Sequence, residues 1–207
     1  MTTANSFRVD RYSVFGADLD LTLLDTRRAT AAALHLMNLR CGERVDIEAF
    51  VARLGPHLRQ ELARWIPEDR LDEAVHVFRT SFVESGVSQI TLMPGAADLA
   101  AQLRRRGGRL IVITSRIQPI AEVCLASARL VPDAVIGGLT GQEKAAAIAR
   151  HGVEVYIGDH VLDMEAALAA GVPGIGVTTG CHDAKALEEA GATAVVASLS
   201  TVVAALR

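Results

Sequence analysis

Aromatic side chains are scarce in this 207-residue chain, at 4% of the total. No apolar run approaches the roughly 20 residues a membrane-spanning helix needs, so no segment is a candidate for one. Cysteine is confined to Cys41, Cys124 and Cys181, odd in number, far apart and without a Cys-x-x-Cys pair. Neither a disulfide framework nor a zinc knuckle follows from that spacing; free thiols in a reducing cytoplasm do. Met1 to Asp10 lacks the apolar stretch of a signal peptide. Charge of one sign is lacking too: the formal net charge is -3 and no Lys/Arg stripe stands out. The one basic cluster, Arg104-Arg105-Arg106, ends a helix-like segment, where cations favour the helix dipole. The expectation is therefore a cytoplasmic protein with neither nucleic acid nor membrane as partner.

Hydrophobic residues are plentiful, at 50%. The length suits one large domain or a core with a smaller insert. Abundant alanine and few aromatics suggest helices packed closely on something flat. Short apolar runs at 12–18, 109–114, 133–137, 153–157, 173–177 and 193–197 read as buried strands, bounded by glycine and polar residues. Helical spacing separates them: in 96–106, Ala96, Leu99, Ala100 and Leu103 share one face. Similar stretches lie near 118–130, 142–151, 161–170 and 183–190. Apolar strands alternating with helices imply a doubly wound parallel α/β sheet covered on both faces. Residues 27–90 break this rhythm. They contain no clear strand and read as helices at 27–40, 46–54, 57–65 and 68–85, punctuated by Gly42, Gly55-Pro56, Pro67 and Gly86. An all-helical insert thus interrupts the core, which comprises 1–26 and 91–207.

Ligands of open α/β sheets bind at the carboxyl ends of the strands. The first strand delivers Asp18 and Asp20 there, the second Thr114 and Ser115, and the fourth Asp159 followed by Asp163. Lys144 opens the helix after the third strand. So many carboxylates together raise one another's pKa unless a cation intervenes. Mg²⁺ suits a few carboxylates plus water and substrate oxygens. Such a site fits a phosphate ester: the metal and Lys144 neutralise the phosphoryl oxygens, and Thr114 and backbone N–H groups hold them. One carboxylate can attack phosphorus to form an acyl-phosphate. The second, two residues on, can protonate the leaving alkoxide and later activate water.

Here the sequence resembles the haloacid dehalogenase-like superfamily, in its phosphoglycolate-phosphatase-like branch with a helical cap after the first strand. DLDLTLLD (18–25) matches the first motif, IVITS (111–115) the second, Lys144 in GGLTGQEKAAAI the third, and YIGDHVLDMEAALAAGVPGIGVTTG (156–180) the fourth. The resemblance implies Asp18 as nucleophile and metal ligand, and Asp20 as general acid/base and ligand through its carbonyl. Thr114 and Lys144 would bind the phosphoryl group, with Ser115 beside them. Asp159 would be a ligand, and Asp163 a ligand or an orienter of one. Dehalogenases of the superfamily lack the second aspartate, so Asp20 favours phosphoryl transfer. Two departures stand out, Leu21 where relatives have Gly and Ala145 where they often have Pro.

The stretch 52–62 looks like the cap loop that relatives extend into the site, and Arg59 is the candidate to meet a substrate carboxylate bidentately. His57 and Arg27 are weaker candidates, His160 reads as a loop histidine, and Cys181-His182 as plain loop. The expected activity is Mg²⁺-dependent hydrolysis of a small phosphorylated metabolite such as phosphoglycolate. A sugar phosphomutase, a pyrophosphatase or a phosphate-binding regulatory protein are the alternatives.

Overall fold

The computed structural model describes residues 8–206. Its centre is a six-stranded sheet built from β1 (Val14–Ala17), β4 (Arg109–Ile113), β5 (Ala134–Ile136), β6 (Val155–Gly158), β7 (Gly174–Val177) and β8 (Ala194–Val196). Every pairing is parallel, in the order β5-β4-β1-β6-β7-β8. Alternate residues of each strand enter different cores. Phe15, Ala17, Leu110, Val112, Val155 and Ile157 face one, with Leu99, Leu103 and Leu125 of α5 (Ala96–Arg105) and α6 (Gln118–Ser127). Ile111, Ile113 and Tyr156 face the other, with Ile148 and Ala167 of α7 (Gly141–Arg150) and α8 (Val161–Ala169). A sheet buried on both faces needs apolar residues at successive positions, which explains why its strands read as unbroken runs.

The fold is thus the doubly wound α/β sheet anticipated from sequence, with most strands shorter by one or two residues at an end and β6 running one residue further, to Gly158. Two elements were not anticipated. Helix α10 (Leu199–Ala205) follows α9 (Ala184–Glu189) and β8, and buries Leu199, Val202 and Val203 beside α5. A two-residue antiparallel ribbon joins β2 (Leu24–Asp25) to β3 (Thr91–Leu92).

Between those ribbon strands lie only helices: α1 (Arg27–Cys41), α2 (Ile47–Val51), α3 (Leu58–Leu62) and α4 (Glu68–Ser81). The last runs on as a π-helical turn over Phe82–Gly86 and a 3-10 turn over Val87–Gln89. Four of the chain's eight aromatic residues form a chain here. Ring centroids lie 5.9 Å apart for Phe50–Trp65, 6.4 Å for Phe50–Phe78 and 6.0 Å for Phe78–Phe82. The scarce large side chains are spent where small helices must bury a core of their own.

The mouth of β1 is tied to β6 by one exposed carboxylate. Glu154 Oε2 accepts from the Ser13 N–H at 2.5 Å and the Val14 N–H at 2.9 Å. These two bonds hold the Glu154 pKa below the usual glutamate value. Because the folded-state pKa is depressed, the bonds stabilise above the unfolded-state value and are lost as pH falls through the folded one. Glu154→Gln is expected to lower stability by about 0.5–1 kcal/mol at pH 7, given the group's exposure. In urea melts the difference from wild type should shrink steadily below pH 4.5.

Candidate active site

The chain winds from β1 through β4 to β5 in one direction, then returns through α7 to β6 on the other side of β1. The winding reverses between β1 and β6, where open sheets form their ligand crevice. Both strands end there in a carboxylate: β1 runs into Asp18, whose N–H donates to the Ile157 carbonyl at 2.9 Å, and β6 into Asp159. Asp163, in the first turn of α8, joins them, and one carboxylate oxygen from each of Asp18, Asp159 and Asp163 lies within 4.8 Å of the other two. All three are buried, as is Lys144 in the first turn of α7. Lys144 Nζ donates to Asp18 Oδ1 at 2.9 Å and to Asp163 Oδ1.

Local structure fixes each of these groups. Asp163 is also the N3 residue of a capping box: its Oδ2 accepts from the His160 N–H at 3.2 Å, while His160 Nδ1 accepts from the Leu162 N–H at 3.1 Å. One carboxylate therefore starts α8 and faces the cluster. Glycine at 158 is what lets it come so near, because a Cβ there would lie 2.4 Å from the Asp163 carboxylate. Asp159 is held by the Thr22 hydroxyl, which donates to its Oδ1 at 2.6 Å. Lys144 sits 5.5 Å from the centroid of Tyr156, whose hydroxyl donates to the Ile113 carbonyl at 2.6 Å. Thr114, fully buried, directly follows β4, and its hydroxyl accepts from the Arg116 N–H at 3.2 Å.

The cluster is electrostatically unbalanced. Burial pushes Asp18 up, Lys144 pulls it back, and Asp163 and Asp20 add to the push, leaving it at about 7. Burial, then Asp163 and Asp18, hold Asp159 well above the usual carboxylate range. Lys144 keeps its proton: burial works against the charge, but Asp163 and Asp18 outweigh it. Three ionised carboxylates facing one ammonium would leave two uncompensated negative charges out of water, which is costly. The donors are hard oxygens only, so a hard divalent cation fits the site in both charge and chemistry.

Asp20 is turned away from this cluster. Arg116 grips its carboxylate with Nε at 3.0 Å and Nη2 at 2.8 Å, and the Thr26 hydroxyl donates to it as well. The Arg116 guanidinium in turn lies 4.3 Å from the centroid of Phe82, tying the helical segment to the sheet edge. Between Asp18 and Asp20 the backbone turns sharply, and Leu21 takes up a left-handed φ of 58°. A left-handed leucine costs about 1–2 kcal/mol, and its side chain is buried.

Two cavities meet at this edge. The smaller is lined by Asp18, Lys144, Asp163, Thr140 and Gly141. The larger is lined by Asp20 and Arg116 from the core and by residues of α1, α2 and α4. Gly55 and Ser115 belong to both. Ser115 Oγ donates to the Gly55 carbonyl at 3.2 Å. Gly55 has φ +144°, and a Cβ there would lie 2.4 Å from the His160 ring.

The sequence profile of the haloacid dehalogenase-like hydrolases matches residues 17–177. The chain belongs to this family. It is 30% identical over 210 residues to the "Probable phosphatase IndB" of Dickeya dadantii, covering 91% of this chain and 90% of that one. It is 29% identical over 214 residues to the phosphoglycolate phosphatase of Caulobacter vibrioides, covering 89% and 86%. Among solved structures, a haloacid dehalogenase-like hydrolase from Streptococcus pneumoniae superposes with a TM-score of 0.80 at 22% identity, covering 95% of this chain and 99% of the other.

In this family member the structure brings Asp18, Asp20, Thr114, Ser115, Lys144, Asp159 and Asp163 to one sheet edge. It does not bring Arg59 there. That guanidinium pairs with Glu68 and Asp72, whose side chains are 80% and 92% exposed, and it lines neither cavity. Two free carboxylates on α4 outcompete the site for it. His57 and Arg79 line the larger cavity instead. Arg27 pairs with Asp25 at 3.1 Å. The His160 and His182 rings meet edge-on at 4.2 Å, and burial and His182 lower the His160 pKa to about 4. Sequence reasoning gave Thr22 no role and missed Thr26 and Arg116. Thr22 lies inside the first motif, Thr26 directly follows it, and Arg116 directly follows Thr114-Ser115, so proximity to a motif was the available signal.

Gly158→Ala is expected to drive its Cβ into Asp163 and to destabilise the protein by about 1–3 kcal/mol, as overpacking does. Chemical denaturation of the purified variant measures this, and stability equal to wild type would contradict the close approach.

Proposed function

We propose that this chain is a Mg²⁺-dependent phosphatase that hydrolyses a small phosphomonoester, phosphoglycolate-like in class, through an aspartyl-phosphate on Asp18. The observation that carries the reading is the division of the carboxylates. Asp18 lies with Lys144 in one cavity, Asp20 two residues on lines the next, and the two cavities touch. The phosphatase names of the two sequence relatives support the same reading.

Asp18, Asp159 and Asp163, with the carbonyl of Asp20, would hold the cation. When bound, Mg²⁺ supplies the positive charge that favours ionised Asp18 and neutralises phosphoryl oxygens. Lys144 and Thr114, with Ser115 at the rim, bind and orient the phosphoryl group. An Asp18 oxygen attacks phosphorus while the bond to the leaving oxygen breaks, and Asp20 gives that oxygen its proton. Asp20, now a carboxylate, takes a proton from water. The resulting hydroxide attacks the phosphorus of the aspartyl-phosphate, the bond to Asp18 breaks, and inorganic phosphate leaves. Arg116 and Thr26 hold the Asp20 carboxylate at the wall where the leaving oxygen must lie. Residues 27–90 act as a cap that closes over the substrate, on a core of 1–26 and 91–207. Cys41, Cys124 and Cys181 are free, which supports a reducing, cytoplasmic setting; among the described residues no helix is long and apolar enough to cross a membrane.

The first test is phosphate release from a panel of small phosphate esters, with and without Mg²⁺. Wild type is expected to need the metal, and Asp18→Asn to lose at least about 10³-fold in kcat. No release from any ester by the folded protein would overturn the hydrolase reading.

A second test uses stability. The folded-state pKa of Asp18 is raised, so the metal-free fold is favoured below the unfolded value near 3.8 and loses that advantage as pH rises through about 7. Metal binding needs the ionised forms and so strengthens over the same interval. Saturating Mg²⁺, at about 100 times its Kd, is expected to add about 2.7 kcal/mol, or roughly 5–10 °C in Tm, at pH 8. The shift should be much smaller at pH 5. Equal shifts at both pH values would contradict the buried carboxylate cluster as the cation site.

A further inference from the structure

The larger cavity is built for more than the leaving group of phosphoglycolate. It offers about 60 Å³ to the centres of water-sized groups, where one enclosed water needs only about 10–15 Å³. Phe50, Leu54, Phe78, Ile117 and Ile120 make one continuous apolar wall. Glycolate, with a single methylene, has nothing to set against such a wall.

Two polar groups face this space without a partner. Thr30 is fully buried and lines the cavity, yet its Oγ1 has no hydrogen-bond partner among the described residues. A buried hydroxyl without a protein partner is left to bond to whatever occupies the cavity, water or ligand. Arg79, on α4, lines the same cavity and makes no ion pair or side-chain hydrogen bond with any described residue. Arg59 and Arg116, by contrast, both hold carboxylates. His57 stands close enough to Arg79 for burial and the arginine charge to lower its pKa, so it adds no competing charge. Asp20, which must touch the leaving oxygen, lines this cavity and not the smaller one.

We infer that Arg79 is the specificity-determining residue of this phosphatase, and that its substrate is a phosphomonoester whose leaving alcohol joins an apolar body to a carboxylate. The inference rests on the phosphatase reading above. The phosphoryl group occupies the small cavity beside Asp18 and Lys144. The leaving oxygen passes the Ser115–Gly55 boundary to Asp20, the hydrocarbon lies on the wall of Phe50, Phe78 and Ile120, and the carboxylate meets Arg79. Thr30 Oγ1 gains the hydrogen bond it lacks.

The experiment is a series of ω-carboxyalkyl phosphates of two to six carbons, each paired with the neutral alkyl phosphate of equal length. They are assayed as kcat/KM with wild type, Arg79→Gln, Arg79→Lys and Thr30→Val in Mg²⁺. Wild type is expected to favour four or more carbons over two, and the carboxylate over its neutral partner by about tenfold or more. Arg79→Gln should collapse that carboxylate-to-neutral ratio toward one, and Arg79→Lys should restore part of it. Thr30→Val should lower kcat/KM for the long carboxylates about threefold or more while leaving the ligand-free protein as stable as wild type. A best substrate of two carbons, or a ratio unchanged in Arg79→Gln, would overturn the inference and leave the phosphatase reading standing. Should wild type hydrolyse no ester, the phosphatase reading falls, and calorimetric titration of 5-hydroxypentanoate decides the rest. Heat that disappears in Arg79→Gln keeps the pocket assignment, and no heat with wild type removes it.

Discussion

One ammonium held among three buried carboxylates organises this molecule. Lys144 meets Asp18 and Asp163 directly, and Asp159 lies within the same few ångströms. The three acids come from the ends of two adjacent parallel strands and the helix after one of them. Their meeting therefore depends on the register of β1 against β6, on a glycine at 158 and on a capping box at α8. None of those devices would be needed to make the sheet stable. The charge cluster opposes stability, and the apolar layers on both faces of the sheet compensate for it.

The helical segment is coupled to that cluster at few points. Thr26, immediately before α1, and Arg116, after β4, both bind the Asp20 carboxylate, and Phe82 of the π-helical turn lies under Arg116. Ser115 touches the loop at Gly55. A shift of the helices relative to the sheet would thus be felt first at Asp20, while Asp18 and Lys144, anchored in the sheet and α7, would stay in place. The position of the Asp20 carboxylate and the position of the helices are one coordinate.

Much of this was legible in the sequence because a parallel sheet buried on both faces writes its strands as unbroken apolar runs. Its ligand edge is then wherever those runs end. Asp18, Asp20, Thr114, Asp159 and Asp163 follow strand ends within a few residues, so their convergence followed from topology. The two-residue ribbon of β2 and β3 was invisible, since two residues carry no period. Arginines were the least legible. Arg59, Arg79 and Arg116 look alike in sequence, and their fates were settled by which carboxylates the fold placed beside them: Glu68 and Asp72 for the first, Asp20 for the last, and none among the described residues for Arg79. Long flexible side chains report tertiary structure and not local pattern.

Basic residues in this chain are almost all arginine; lysine occurs only at 144 and 185. Lys144 is sealed beneath the sheet edge, whereas the side chain of Lys185 is 82% exposed on α9. Amine-directed labels therefore meet a molecule with a single accessible lysine side chain. Coupling a fluorophore or a solid support through that side chain fixes one known point on the short α9, remote in sequence from every group of the buried carboxylate cluster.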